Sequence, residues 1–206
     1  MKSTRWVLLV AVCISLAGFS WGQSVDAYLG LGTLITGPSP LASEGVPKLG
    51  GGAYLNAGGD IIFLPHNLGL GAQVQWRASQ ADYFGLGARP VLYSFNLMWE
   101  PVPVGVSVRP DFAIGVGADN FRVYQGVETC GTFTGCTDHQ SENHFLFHVG
   151  VGLKVYWGQH LFLRPAVDYY DIHDNYVFGS AGTGAPEPPS AWQAGISIGY
   201  TLGPSQ

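Results

Sequence analysis

The chain has 206 residues, of which 47% are hydrophobic, 11% charged and thirty are glycine, with a formal net charge of −5. No uninterrupted apolar run reaches the roughly 18 residues that a membrane helix needs, and the acidic balance argues against nucleic acid, whose binders carry basic patches. So much glycine also disfavours helices, at about 1 kcal/mol per position relative to alanine, and points to short strands.

Lys2 and Arg5 form a positive n-region, Trp6 to Phe19 an apolar h-region, and Ser20 with Gly22 a small-x-small cleavage pattern. Residues 1–22 are therefore expected to be a cleaved export signal, and 23–206 a single domain beginning near Gln23. A retained anchor helix is the alternative. Cys13 lies inside the apolar run behind Val12 and does not read as an acylated lipoprotein cysteine. Without Lys2 and Arg5, seven basic residues face fourteen acidic ones, about −7.

Eight segments follow in which apolar and polar residues alternate with period two, the pattern of a strand with unlike faces. The first, about Val25 to Ile35, puts Val25, Ala27, Leu29, Leu31 and Ile35 on one face; a loop follows from Thr36 to Lys48. The second, Leu49 to Leu64, sets Leu55, Ile61 and Phe63 against Tyr54, Asn56 and Asp60. Across the turn Pro65-His66-Asn67, the third (Leu68 to Gln80) sets Leu68, Leu70, Val74 and Trp76 against Gly69, Gln73, Gln75 and Arg77. After Ala81 to Ala88, the fourth carries Val91, Tyr93, Phe95, Leu97 and Trp99 against Ser94, Asn96 and Glu100. Pro101 and Pro103 turn the chain into the fifth, Val104 to Tyr124, where Phe112, Ile114 and Val116 oppose Arg109, Asp111 and Asp119. The apolar parity then passes to Phe121 and Val123, which predicts a bulge near Asn120.

A long loop, Gln125 to Glu142, contains Cys130 and Cys136. The sixth segment, Asn143 to Trp157, is the clearest: every second residue from Phe145 to Trp157 is apolar, against Leu146, His148, Gly150, Gly152, Lys154 and Tyr156. Gly158 to His160 turns into the seventh, where Leu161, Leu163, Val167 and Tyr169 oppose Arg164, Asp168 and Tyr170. A last loop, about Gly179 to Ser190, precedes the eighth, with Trp192, Ile196, Ile198, Tyr200 and Leu202 against Gln193, Gly195, Ser197 and Thr201.

Long and short connections alternate, as in an up-and-down transmembrane β-barrel with long loops on one side of the membrane and tight turns on the other. Clear alternation runs about 9 to 13 residues per segment, near the 9–11 that a tilted strand needs to cross. Trp76, Trp99, Trp157 and Trp192 lie near segment ends, where interfacial girdles belong. The rival is a soluble lipocalin-like binding barrel with its apolar face inward. A hydrophobic cup could not hold Asp60, Arg77, Glu100, Arg109, Asp111, Asp119, Lys154, Arg164 and Asp168, and a soluble exterior built from this chain would be unusually uncharged. A polar, ion-paired lumen accommodates them, so the expected fold is all-β, an eight-stranded antiparallel barrel facing lipid.

The stretches LGLGAQVQWRASQADY, ARPVLYSFNLMWEP, NHFLFHVGVGLKVYW and HLFLRPAVDYY resemble bacterial outer-membrane β-barrel proteins of the OmpA/OmpX/OmpW type. The resemblance implies outer-membrane location, contact with outer-membrane lipids and lipopolysaccharide, and insertion by the outer-membrane assembly machinery. It also implies an assembly signal in the last strand, matched by Gln193, Gly195, Ile198 and Tyr200. Here six residues follow Tyr200, whereas family members usually end on the aromatic. No peptidoglycan-binding domain is expected beside the barrel, so a cell-wall tethering role is not carried over.

Several constellations bear on function. Cys130 and Cys136 are an even pair in an exported chain, for which a disulfide is the default; zinc, with His139 and His144 as further donors, is the sharper reading. If the turn at Gly158 to His160 sets the register of its strands, His144 faces Asp174 at a rim, His148 faces Tyr170, and Lys154 stands beside Arg164. Arg77, Glu100, Arg109, Asp111, Lys154, Arg164 and Asp168 would then form an ion network filling the lumen, or an anion gate. No serine has a convincing histidine partner for nucleophilic catalysis. The pairs Gly30/Gly32 and Gly115/Gly117 precede no helix that could bind phosphate. The expectation is a non-enzymatic surface or structural barrel without cofactor or metal. The alternative is a narrow channel for small or hydrophobic compounds.

Overall fold

In the computed structural model the described residues are 24–36, 50–83, 86–103, 105–131, 135–173 and 190–203. The expected signal segment and the start near Gln23 lie outside them.

The strands are β1 (Ser24–Thr36), β2 (Tyr54–Leu64), β3 (Leu68–Arg77), β4 (Ala81–Tyr83), β5 (Leu86–Trp99), β6 (Val108–Gly131), β7 (Gly135–Trp157), β8 (Leu161–His173) and β9 (Ser190–Leu202). β4 is a three-residue extension on β5. The eight long strands pair antiparallel in sequence order, β9 returns to β1, and β3 pairs with β5, so the sheet closes. Closure leaves no strand edge unpaired within the ring, the condition for crossing lipid.

Strand parity decides which side chain goes where. Leu29, Leu31, Phe95, Ile114, Val151 and Ile198 point outward and are exposed, Phe95 at 68%. Asp26, Asp60, Glu100, Arg109, Asp111 and Lys154 point inward and are buried, Arg109 and Lys154 at 0%. Exposed hydrocarbon outside and buried charge inside is the inverse of a soluble barrel, and only a lipid exterior makes it stable. At the tight-turn end Trp99 packs on Phe112, with ring centroids 5.4 Å apart, and at the loop end Trp192 packs on Tyr169 at 4.8 Å. These rings mark the two edges of the apolar belt.

Three sequence expectations are corrected. No bulge occurs near Asn120: the β5–β6 register runs unbroken from Gly87↔Tyr124 to Trp99↔Phe112. Phe121 and Val123 keep the inward parity of Asp119 and are buried inside the barrel. The apparent parity switch is a change in what fills the lumen. The register shift comes later, between Tyr124 and Thr129. Second, the expected loop Gln125 to Glu142 is mostly strand, because β6 and β7 continue as a hairpin to Gly131 and Gly135. Third, segment bounds shift: β6 begins at Val108 rather than Val104, β2 at Tyr54 rather than Leu49, and the connection Ala81 to Ala88 holds β4 and the start of β5.

The tube is narrow, so large inward side chains need a small residue opposite. A Cβ at Gly199 would collide with the Phe162 ring, and one at Gly58 with the Tyr28 ring. At the turn between β2 and β3, His66 and Asn67 both adopt positive φ, 62° and 58°, a conformation that asparagine tolerates better than most residues.

Candidate functional site: the filled lumen

The lumen holds three layers. At the tight-turn end Lys154 reaches from β7 to carboxylates on β1, on β2 and just past the end of β5. Its Nζ donates to Asp26 Oδ2 on β1, to Asp60 on β2 at 3.0 and 3.2 Å, and to Glu100 Oε1 after β5 at 2.5 Å. Arg109 on β6 joins the cage through Nη2, 2.8 Å from Glu100 Oε2 and 3.9 Å from Asp26 Oδ2. The same nitrogen donates to the Tyr156 hydroxyl at 2.7 Å, which lies 3.1 Å from Thr201 Oγ1 on β9. Asp26, Asp60 and Glu100 are close enough to hold a metal ion, but the Lys154 ammonium already occupies the point where their oxygens converge.

Just above, Arg164 on β8 donates from Nε (2.9 Å) and Nη2 (2.5 Å) to Asp111 Oδ2 on β6, and its guanidinium lies over the Tyr28 ring at 4.9 Å. Buried charges are tolerated when paired and hydrogen-bonded. Each cation here has at least one carboxylate.

The middle layer is polar and largely uncharged. His148 Nδ1 lies 2.7 Å from Asn96 Oδ1, an acceptor, so Nδ1 carries a proton. Its Nε2 lies 3.0 Å from Asp168 Oδ1 and 3.1 Å from Gln73 Nε2. Unprotonated, Nε2 accepts from Gln73; protonated, it donates to Asp168. The Tyr170 hydroxyl accepts from Gln73 at 2.8 Å and from Gln75 at 2.5 Å, and the Tyr170 ring stacks on His148 at 4.8 Å.

The loop-end layer is mainly apolar, with the buried register partners Asp119 and His144 and the inward Arg77 set among its side chains. Leu34, Tyr54, Ala88, Leu92, Phe121, Val123, Leu146, Ile172 and Ala191 form one buried cluster together with the Tyr170 ring. Tyr170 thus borders both layers, with its ring in the plug and its hydroxyl in the polar belt.

The expected site residues are distributed as follows. Glu100, Arg109, Asp111, Lys154 and Arg164 do meet near the tight-turn end, while Asp168 partners His148 in the middle layer. Arg77 stands apart at the loop end, opposite Tyr54, with its guanidinium beside Gly52. His148 faces Tyr170 as the register predicts. Lys154 and Arg164 fall in a gap of the β7–β8 ladder, next to Pro165, which has no N–H to give. They separate toward different carboxylates. Asp174 lies outside the described residues; the residue facing His144 across β6–β7 is Asp119. Cys130 and Cys136 face each other in the register of the β6–β7 hairpin, but their side chains are not among those described. Gln193 and Gly195 point into the lumen, and Ile198 and Tyr200 face outward. Sequence reasoning missed Asp26 as a cage member and the group formed by Gln73, Asn96 and His148. Inward parity was the available signal for both.

The sequence matches no protein-family model and no curated protein. Solved structures do match. A major outer membrane protein from Thermus thermophilus is 13% identical over 88% of this chain and 100% of that one, with a TM-score of 0.59. Neisserial surface protein A is 10% identical over 88% and 97%, with a TM-score of 0.54. Ail, the attachment invasion locus protein of Yersinia pestis, is 11% identical over 88% and 99%, at 0.52. At such identities the likeness is one of fold: a small, closed, antiparallel transmembrane barrel.

Proposed function

We propose that this chain is a non-enzymatic barrel of the bacterial outer membrane that acts at the cell surface as a structural or interaction element and does not conduct. The observation that carries this reading is the filled lumen, in which an ionic cage and an apolar plug occupy successive heights of one narrow tube. Ions crossing it would have to displace Lys154 from three carboxylates and then pass the mainly apolar cluster around Phe121. Hydrophobic compounds would meet the reverse obstacle. The outward belt would contact outer-membrane lipids and lipopolysaccharide, and the last strand, with Gln193, Gly195, Ile198 and Tyr200, would engage the assembly machinery.

Purified protein in planar bilayers is expected to show no discrete conductance steps. Reproducible channels that vanish on Lys154→Met or Arg164→Met substitution would instead establish the narrow-channel alternative. The facing positions of Cys130 and Cys136 also support a disulfide across the tip of the β6–β7 hairpin. Intact mass after alkylation should then gain two adducts only when a reductant precedes the alkylating agent.

A further inference from the structure

Six basic residues lie in the described strands. Arg109, Lys154 and Arg164 are spent on carboxylates inside the barrel, and Arg77 points inward at the loop end. The remaining two, Arg89 and Arg122, lie on the outward parity of β5 and β6 and are direct register partners. Like charges directly opposite on neighbouring strands repel, and neither has a carboxylate partner among the described residues.

Their height is equally specific. Along β5 the outward residues run Trp99, Leu97, Phe95, Tyr93, Val91, Arg89; along β6 they run Phe112, Ile114, Val116, Ala118, Asn120, Arg122. Each arginine is ten residues from the Trp99–Phe112 girdle, one full crossing of a tilted strand. The pair therefore stands at the loop-side rim of the apolar belt, at the depth of lipid headgroups.

The surroundings supply donors and fix one of the arginines. Arg122 Nε donates to Asn120 Oδ1 at 2.6 Å, and Asn120 Nδ2 donates to Asn143 Oδ1 at 2.8 Å. This chain of bonds holds the Arg122 guanidinium through its Nε. Ser141 faces Arg122 from β7 and is exposed. Arg89 Nε is buried without a hydrogen-bond partner. Arg89, Arg122 and Ser141 thus form one row across three strands, two guanidinium groups and a hydroxyl at the headgroup level.

The geometry points to a binding site for the phosphate group of a membrane lipid, held between Arg89 and Arg122. Guanidinium groups match phosphate oxygens with paired N–H donors, and a shared anion relieves the repulsion that the register imposes. This rests on the membrane-barrel reading and specifies where on the outer wall a charged lipid is held.

The test uses full-length mature protein refolded in neutral detergent, with dihexanoyl phosphatidic acid, dihexanoyl phosphatidylcholine and inorganic phosphate as separate probes. Binding is followed by native mass spectrometry and by the amide resonances of Arg89 and Arg122. Phosphatidic acid is expected to be retained and to shift both amides, phosphatidylcholine to bind at least about tenfold more weakly, and Arg89→Gln/Arg122→Gln to lose that preference. The single variant Arg122→Gln should lose part of it. Equal binding of both lipids by the wild type, or unchanged preference in the double variant, would overturn the site. Equal amide shifts with phosphate alone would mean that a free anion, not a lipid, is the ligand. The boiled-versus-unboiled gel shift separates the two levels: its absence in the wild type would sink the membrane barrel itself, while its presence with no lipid preference would sink only this site.

Discussion

The two halves of the lumen solve the same packing problem with opposite chemistry. Both are cross-sections of one narrow tube that must be filled by side chains from opposing strands. At the tight-turn end the filling is Lys154, Arg109, Asp26, Asp60 and Glu100, a cage in which every cation touches a carboxylate. At the loop end it is Phe121, Leu146, Leu92 and Ile172 around the Tyr170 ring. The ionic half is directional and depends on matched partners, so losing one member leaves the others buried and uncompensated. The apolar half depends chiefly on volume, with Asp119, His144 and Arg77 as charged or polar members among its named side chains. Between them Tyr170 has a ring for one side and a hydroxyl for the other.

The sharpest way to break the comparison is Lys154→Met. Removing the ammonium from three buried carboxylates should cost about 3–5 kcal/mol, read as a lowered urea midpoint for the heat-modifiable band. Adding Asp60→Asn to that variant should recover part of the loss; if it recovers none, charge balance is not what holds the cage. Phe121→Ala should cost about 3 kcal/mol through the cavity it opens, and no neutralising second change should rescue it. Gly199→Ala tests the tube's width directly. Its new methyl meets the Phe162 ring, for an expected loss of about 1–3 kcal/mol from overpacking. Smallest of all should be the effect of salt: raising NaCl from about 0.05 to 1 M should barely move the wild-type midpoint, because screening acts on exposed charges far more than on buried pairs. A large salt effect would mean that water and ions reach the cage.

The contrast also shows where parity misleads. Period-two alternation sorts residues onto two faces, and it sorted Arg109, Asp111, Lys154 and Arg164 correctly. It does not require the inward face to be polar throughout. Phe121 and Val123 look like a change of face because they are apolar, yet an unbroken register keeps them inside. Polarity does not give orientation there, because the inward face is lined by apolar side chains at that height.

Alternation, turn chemistry and the position of charges sufficed, from sequence, for an all-β closed barrel, its eight crossings, its lipid-facing side and most members of the ionic cage. These are local properties: the side-chain period of a strand is two wherever the strand goes. Partnership across the tube is not local. That Lys154 joins Asp26, 128 residues away, that Asp168 turns to His148 and not to Arg164, and that Arg89 meets Arg122 on the outer wall all depend on strand register and closure. Only the tertiary structure decides those, because a slip of two residues would preserve every face and exchange every partner.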